Sequence, residues 1–143
     1  MVYHERAAWA GIIASVASVA IYVILLAQQG GGSPTALDWW PAMLWAIGGG
    51  IVLSIVLTIA WGIIAGIRDR DSATRSDVRD RDIGRFGGRV EQAIVGAAGV
   101  GVIVLCAIGA DVFWIAGTMF LGFAVGAFVG GITRVVAYRR GLV

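Results

Sequence analysis

The 143 residues are enough for a single domain, and their composition excludes an ordinary soluble one. Hydrophobic residues make up 59% of the chain and charged residues 14%, whereas soluble domains average about a quarter charged residues. All eleven basic residues are Arg and the formal net charge is only +2, so the placement of charge carries more information than its amount. The single cysteine, Cys106, excludes an internal disulfide.

Four apolar stretches predict four transmembrane helices, at about residues 7–27, 39–67, 90–110 and 112–138. Each stretch is long enough to cross a hydrocarbon core of about 30 Å at a rise of about 1.5 Å per residue. Helices are expected because hydrocarbon cannot hydrogen-bond to free backbone groups. The predicted fold class is therefore all-α: an integral membrane four-helix bundle, built as one transmembrane domain of two helical hairpins.

The arginines predict the orientation of the chain. None lies in the predicted turns at 28–38 and 109–111, so all of them fall at one end of the four helices. Basic residues are retained on the cytoplasmic side of a membrane, so both termini are expected in the cytoplasm. The use of Arg without Lys fits either the codon bias of a GC-rich genome or the bidentate binding of phosphate by Arg. We favour the first and predict a prokaryotic cytoplasmic membrane. The arginines are Arg6, Arg68, Arg70, Arg75, Arg79, Arg81, Arg85, Arg89, Arg134, Arg139 and Arg140.

The two predicted hairpins resemble each other weakly. Each begins just after an acidic residue, Glu5 or Glu91, and each has a turn that ends in Asp, Asp38 or Asp111. Both aspartates are predicted helix N-caps. The similarity fits either a parallel internal duplication or the general likeness of any two membrane hairpins.

Glycine spacing indicates close helix packing. Gly122, Gly126 and Gly130 recur every four residues and form one predicted packing face of the fourth span. Small residues at this spacing let helix backbones approach closely in lipid. The face fits either packing inside the bundle or an interface with a second copy or a partner. The run Gly48–Gly50 in the second span fits either a tightly packed helix or a broken one that binds a ligand.

The chemistry needed for catalysis is missing from the sequence. Glu91 and Arg134 lie near predicted span ends, and no ionisable residue is predicted deep in a span. The hydroxyls of Ser15 and Thr58 are expected to bond to their own helix. His4 is the only histidine, so no metal cluster is predicted, and no phosphate-binding or hydrolase motif occurs. We therefore predict no enzyme activity, no catalytic residue, and no cofactor or metal.

The small multidrug exporters, which are also short four-helix proteins, provide a comparison. They use a membrane-embedded glutamate in their first helix, whereas the first span of this chain has no acidic residue after Glu5. The comparison therefore counts against an exporter of that kind.

The predicted cytoplasmic loop 68–89 is the most distinctive stretch, with seven Arg and five Asp. Pairs such as Asp77 and Arg81 are spaced for i,i+4 contacts on a short helix, with Ile83 and Phe86 on an apolar side at the membrane surface. The loop fits either a solvated, topology-setting segment or a contact site for an anionic lipid phosphate or a partner. Its aspartates cancel the field that nucleic-acid binding needs. The candidate contact residues are Arg79, Arg81, Arg85, Arg89, Asp77 and Asp80.

Two short motifs resemble those of a known family. The run Asp77-Val-Arg-Asp-Arg-Asp-Ile83, followed by Arg85 and Gly87, is similar to the D-E-R-D-x-x-I…R-G stretch of a family of uncharacterised small prokaryotic four-helix membrane proteins. The close Tyr138-Arg-Arg-Gly141 resembles the Y-R-R-G end of those chains. Val78 stands where the family often has Glu. The resemblance implies a loop between the second and third of four helices, and it implies no known activity.

These observations favour a non-enzymatic multi-pass membrane protein that is a subunit or accessory component of a homo- or hetero-oligomeric assembly. In this hypothesis the loop 68–89 and the glycine face of the fourth span carry the contacts. Two alternatives remain: a small oligomeric transporter or channel-like protein with a site near Gly48–Gly50, and a sensor or regulator that signals through the loop.

The orientation can be tested by thiol labelling of intact cells. In a Cys106→Ala background, a Thr74→Cys chain is expected to react with a membrane-impermeant maleimide only after the cells are opened, because the arginines hold this loop in the cytoplasm. A Ser33→Cys chain is the matched control and is expected to react in intact cells. Labelling of Thr74→Cys from outside would contradict the predicted topology.

Overall fold

The computed structural model describes residues 3–30, 33, 37–68 and 78–140, with side chains described for 7–30, 33, 37–64 and 81–140. These residues form four α-helices, and each contains a stretch that is long and apolar enough to cross a membrane. The predicted all-α class with four potential membrane spans is thereby confirmed. The helices are α1 (Tyr3–Ala27), α2 (Trp39–Arg68), α3 (Val78–Ala107) and α4 (Val112–Arg140).

Helix α3 begins at Val78 and not near Val90, so the short helix expected within residues 68–89 is continuous with the third helix from Val78 onward. The charged residues do mark where the chain leaves hydrocarbon, but a helix continues past that boundary when oppositely charged side chains three or four residues apart support it. Arg85 and Asp82 form such a pair, at 3.8 Å. Ile83 is fully buried inside the protein, and therefore does not lie at the membrane surface as predicted.

The two turns are held by side-chain hydrogen bonds. The Phe113 N–H donates to Asp111 Oδ1 at 2.8 Å, which confirms the predicted N-cap of α4. Gly109 has φ +68°, a left-handed conformation that glycine adopts without strain. In the longer connection, Gln29 Oε1 accepts the Asp38 N–H at 2.8 Å and Gln29 Nε2 donates to the Asp38 carbonyl at 3.1 Å. These bonds fix the chain at the start of α2.

The helices pack in the order α2, α1, α4, α3, so that α2 and α3 lie at the two edges. Neighbouring helices are antiparallel. Ser18 of α1 lies against Gly50 of α2, Ile12 of α1 against Gly131 of α4, and Ala98 of α3 against Gly122 of α4. One end of the row, here called the arginine end, holds residues such as Arg81, Arg139 and Arg140, and the other, called the turn end, holds residues 28–38 and 108–111.

The buried core is small and, apart from Ile83 of α3, lies between α1, α2 and α4. Near the turn end it consists of Tyr22, Ala42, Met43, Ala46 and Phe120. The rings of Tyr22 and Phe120 are tilted, with centroids 5.0 Å apart. Helices α2 and α4 thus meet near their turn ends.

The glycines of α4 lie on two different faces of that helix. Gly122, Gly126 and Gly130 are buried against α3, and a Cβ added to Gly130 would lie 3.1 Å from the backbone carbonyl oxygen of Gly87. Gly131 is buried against α1. In this arrangement α3 of the same chain covers the predicted packing face, so the face is not open to a second copy or a partner.

Filling the α3–α4 contact is expected to destabilise the protein. In Gly122→Val the new Cβ would overlap the Ala98 side chain, and such overpacking costs about 1–3 kcal/mol. Gly117→Val is the matched control on the same helix, because nothing lies within 4 Å of a Cβ at Gly117. Unfolding of both variants in mixed micelles measures the difference; equal stability would contradict the packing.

Candidate functional site

The first part of α3 presents arginines on one exposed face. Arg81, Arg85 and Arg89 recur every four residues and are all exposed. Because the rise is about 1.5 Å per residue, neighbouring members of this arginine stripe are about 6 Å apart along the helix axis. Arg79 and Asp80 lie in the first turn of α3, but their side chains are outside the described residues, as is Asp77 altogether.

A shallow depression lies along the arginine stripe. Asp82, Arg85, Phe86 and Arg89 line it, and its volume is about 250 Å³. Two guanidinium groups beside an exposed aromatic ring suit a phosphate group at the level where lipid headgroups begin. The carboxylate of Asp82, 3.8 Å from Arg85, reduces the positive charge. The depression can therefore take an anion, and it is not a strongly electropositive cleft.

Next to the stripe, Glu91 of α3 and Arg134 of α4 form an ion pair. Arg134 Nη2 donates to Glu91 Oε2 at 2.8 Å, with 29% of the Arg134 side chain and 37% of the Glu91 side chain exposed. Helical side chains point toward the N-terminus of their helix, and α3 and α4 run in opposite directions. Arg134 therefore extends away from the arginine end and Glu91 extends toward it, so that the two groups meet.

Glycine makes room for this pair. A Cβ at Gly87 would overlap the side chain of Arg134, which therefore crosses α3 at this residue. A Cβ at Gly130 would lie 3.0 Å from the Cβ of Glu91. Gly87 and Gly130 together allow the two helices to approach closely enough for a 2.8 Å contact.

The pair corrects the expectation that Glu91 marks the entry to the third span. The candidate membrane span of α3 covers Arg81–Ala107, and Glu91 lies ten residues after its start. Glu91 lies sixteen residues before Ala107, about 24 Å of helix rise, which is shorter than the about 30 Å thickness of a hydrocarbon core. Sequence reasoning missed the contact because its partners are 43 residues apart. The sequence signal that could have indicated this ion pair was an acidic residue in the helix before a short turn and a basic residue in the helix after it.

A second concave surface, here called the groove, lies between α1, α2 and α4. Its volume is about 670 Å³, and Gly11, Ser15, Met43, Gly50 and Phe120 are among its lining residues. The Ser15 hydroxyl donates to the Ile12 carbonyl at 2.8 Å, and the hydroxyl of Thr58, which is not in the lining, donates to the Ser54 carbonyl at 2.7 Å; both bonds stay within one helix, as predicted. Helix α2 continues unbroken through Gly48–Gly50, which agrees with the intact-helix alternative and not with a broken helix.

Comparison with known proteins gives no relative for this chain. No family model matches it, and no curated protein or solved structure matches it significantly. The resemblance of the Asp77–Ile83 motif to a prokaryotic family therefore stays a prediction. Within the part of the chain that the structure describes, no group of three His, Cys, Asp or Glu residues is placed to hold a metal ion.

The ion pair is expected to couple α3 to α4. Glu91→Gln leaves the guanidinium of Arg134 without a counter-charge in a partly buried place, which we expect to lower the free energy of unfolding by about 1–3 kcal/mol. Arg134→Gln is expected to act similarly, and the double variant to lose less than the two single losses combined. Unfolding in mixed micelles measures this cycle.

Arg140→Gln is the control for the loss of one arginine at the same end of the helices, because Arg140 is exposed. It is expected to leave stability nearly unchanged. Strictly additive losses at Glu91 and Arg134 would show that the pair contributes no coupling.

Proposed function

We propose that this chain is a non-enzymatic multi-pass protein of a prokaryotic cytoplasmic membrane and serves as a subunit or accessory component of a homo- or hetero-oligomeric assembly. Both termini lie in the cytoplasm in this proposal. The placement of every arginine at one end of four apolar helices supports the orientation.

One surface of α3 carries the assembly proposal. Gln92, Ala93, Gly96, Ala97 and Val100 are exposed on one side of this edge helix. Glutamine so placed in hydrocarbon favours a hydrogen bond to a neighbouring helix, and small residues beside it allow that helix to approach closely. Nothing lies within 4 Å of a Cβ at Gly96, so the surface is open in the single chain.

This surface replaces the one that the sequence indicated. The glycine face of α4 was expected to carry the assembly contacts, but α3 covers it. The exposed side of α3 offers the same chemistry, which is a close approach of small residues, and adds a polar group. We call it the α3 outer face, defined by Gln92, Ala93, Gly96, Ala97 and Val100.

The arginine stripe supports a second contact, with the headgroup of an anionic lipid. Arg85 and Arg89 lie on one side of the helix and about 6 Å apart along its axis, near the level where α3 leaves the hydrocarbon. In this proposal they hold a lipid phosphate between them and fix the depth of α3. Nucleic acid is not a partner in the proposal, because aspartates accompany the arginines.

A small transporter or channel-like protein is the second candidate, and the groove favours it. The groove lies beside Gly50, where a site was expected, although the helix there is intact. Its lining carries no charged side chain. Flux of ions or small polar solutes above background in proteoliposomes would favour this candidate over the assembly.

Native mass spectrometry from a mild detergent tests the assembly. The wild-type chain is expected to appear as an oligomer or with copurified partner chains, and Gly96→Leu is expected to release monomers because the larger side chain blocks the α3 outer face. Gly62→Leu is the matched control on α2, where nothing lies within 4 Å of a Cβ. A wild-type monomer without partners would overturn the proposal.

The same spectra report bound lipid. Replacing both Arg85 and Arg89 with Gln is expected to reduce copurified anionic lipid, whereas the same change at Arg139 and Arg140 removes equal charge from α4 and is expected to have a smaller effect. Unchanged lipid content in the first variant would reject the phosphate site and leave the oligomer unaffected.

A further inference from the structure

The groove lies wholly at membrane depth. On α2 its lining runs from Met43 to Ser54, about 6 to 22 Å of helix rise from Trp39. In a hydrocarbon core of about 30 Å this range covers the middle of the bilayer. Any occupant must therefore be dissolved in hydrocarbon.

The lining limits the chemistry of the occupant further. It contains no charged side chain, so a charged headgroup would find no counter-charge there. Ser15 already donates its hydroxyl hydrogen to its own helix. A volume of about 670 Å³ is within the range of sites for small organic molecules. The groove thus suits a neutral, largely apolar molecule.

One buried polar group lies directly behind the groove wall. Tyr22 is 8% exposed, and within the described residues its hydroxyl is buried and has no hydrogen-bond partner. Buried hydroxyls almost always have a partner. Tyr22 packs with Met43 and Phe120, which also line the groove. Helical side chains extend toward the N-terminus of their helix, which for Tyr22 is the direction of Ser18 in the groove lining.

The side chains at this end of the groove favour a flat ring. Met43, Met119, Phe120 and Phe123 line it, and aromatic and thioether groups pack well against planar rings. The Met43 side chain, which lines the groove and packs in the same cluster as Tyr22, has three rotatable bonds and adapts its shape to a neighbouring molecule.

We propose that the groove binds a neutral membrane-dissolved amphiphile of the prenylated-quinone type, with its carbonyl-bearing ring near Met43 and Phe120 and its apolar chain along α1. A ring carbonyl accepts the hydrogen bond that the Tyr22 hydroxyl donates. This site is separate from the α3 outer face, and the proposal does not depend on assembly.

Photolabelling in phosphatidylcholine nanodiscs tests the site. The probe is an azido derivative of a decyl-benzoquinone, and labelled residues are mapped by mass spectrometry. Saturable labelling of groove residues is expected, displaced by unlabelled decyl-benzoquinone and not by decylbenzene, which has the same chain and no oxygen. Equal displacement by decylbenzene would overturn the proposal, because apolar filling alone would then explain binding.

Two variants separate the groove from the hydrogen bond. Gly11→Leu fills the groove at a place where nothing lies within 4 Å of a Cβ, and it is expected to abolish saturable labelling. Tyr22→Phe keeps the ring and is expected to weaken binding roughly fivefold, as the loss of one hydrogen bond does. Gly62→Leu lies outside the groove lining and is expected to bind like wild type.

Circular dichroism and thermal unfolding of each variant confirm that it is folded before labelling is compared. Should Gly11→Leu fail this check, Ala124→Val fills the groove from α4 instead. Unchanged labelling in the folded groove-filling variant, or unchanged affinity in Tyr22→Phe, would each overturn the proposal.

Discussion

Hydrocarbon solvates neither a guanidinium group nor a free backbone amide, and this constraint accounts for most of the molecule. Backbone groups are satisfied within four long helices. Arginines gather at one end of those helices, because a charge in the bilayer is costly unless it is paired. Arg134 illustrates the rule, since it lies deeper along α4 than Arg139 and Arg140 and is paired with Glu91 at 2.8 Å.

Packing in lipid depends on close approach, and α4 is the helix that makes it possible here. Its glycines lie against α3 on one side and α1 on another, so α4 joins the two hairpins. Gly87 likewise allows the close approach of a charged side chain, because the absence of a Cβ lets the Arg134 side chain cross α3. Glycine therefore serves both helix packing and the placement of the ion pair.

The surfaces proposed to contact a partner, a lipid or a ligand are those that helix packing leaves exposed. Helix α3 packs on α4 and leaves the α3 outer face exposed, while α2 and α4 meet near the turn end and leave the groove between them. The arginine stripe lies on the part of α3 that extends beyond the predicted span. The α3 outer face, the groove and the arginine stripe all result from the arrangement of the helices, and none of them contains a known catalytic motif.

Much of this could be predicted, because it depends on properties local to the chain. Helix number, the C-terminal end of α1 and the Asp111 cap follow from apolar length and short-range hydrogen bonding. The exposed spacing of Arg81, Arg85 and Arg89 also follows from helix periodicity once residues 81–89 are taken as helical. The start of α3 was missed because a charged stretch ends a membrane span without ending a helix.

The sequence by itself determined that four helices can span a membrane and that the arginines share one end, since hydropathy and charge act residue by residue. Tertiary structure alone decided that Glu91 meets Arg134, that the glycines of α4 are covered from within the chain, and that Tyr22 lies behind a groove. Each of these depends on which helices are neighbours and at what register. That choice is made by side-chain volumes across contacts between residues far apart in the chain, which no local pattern records.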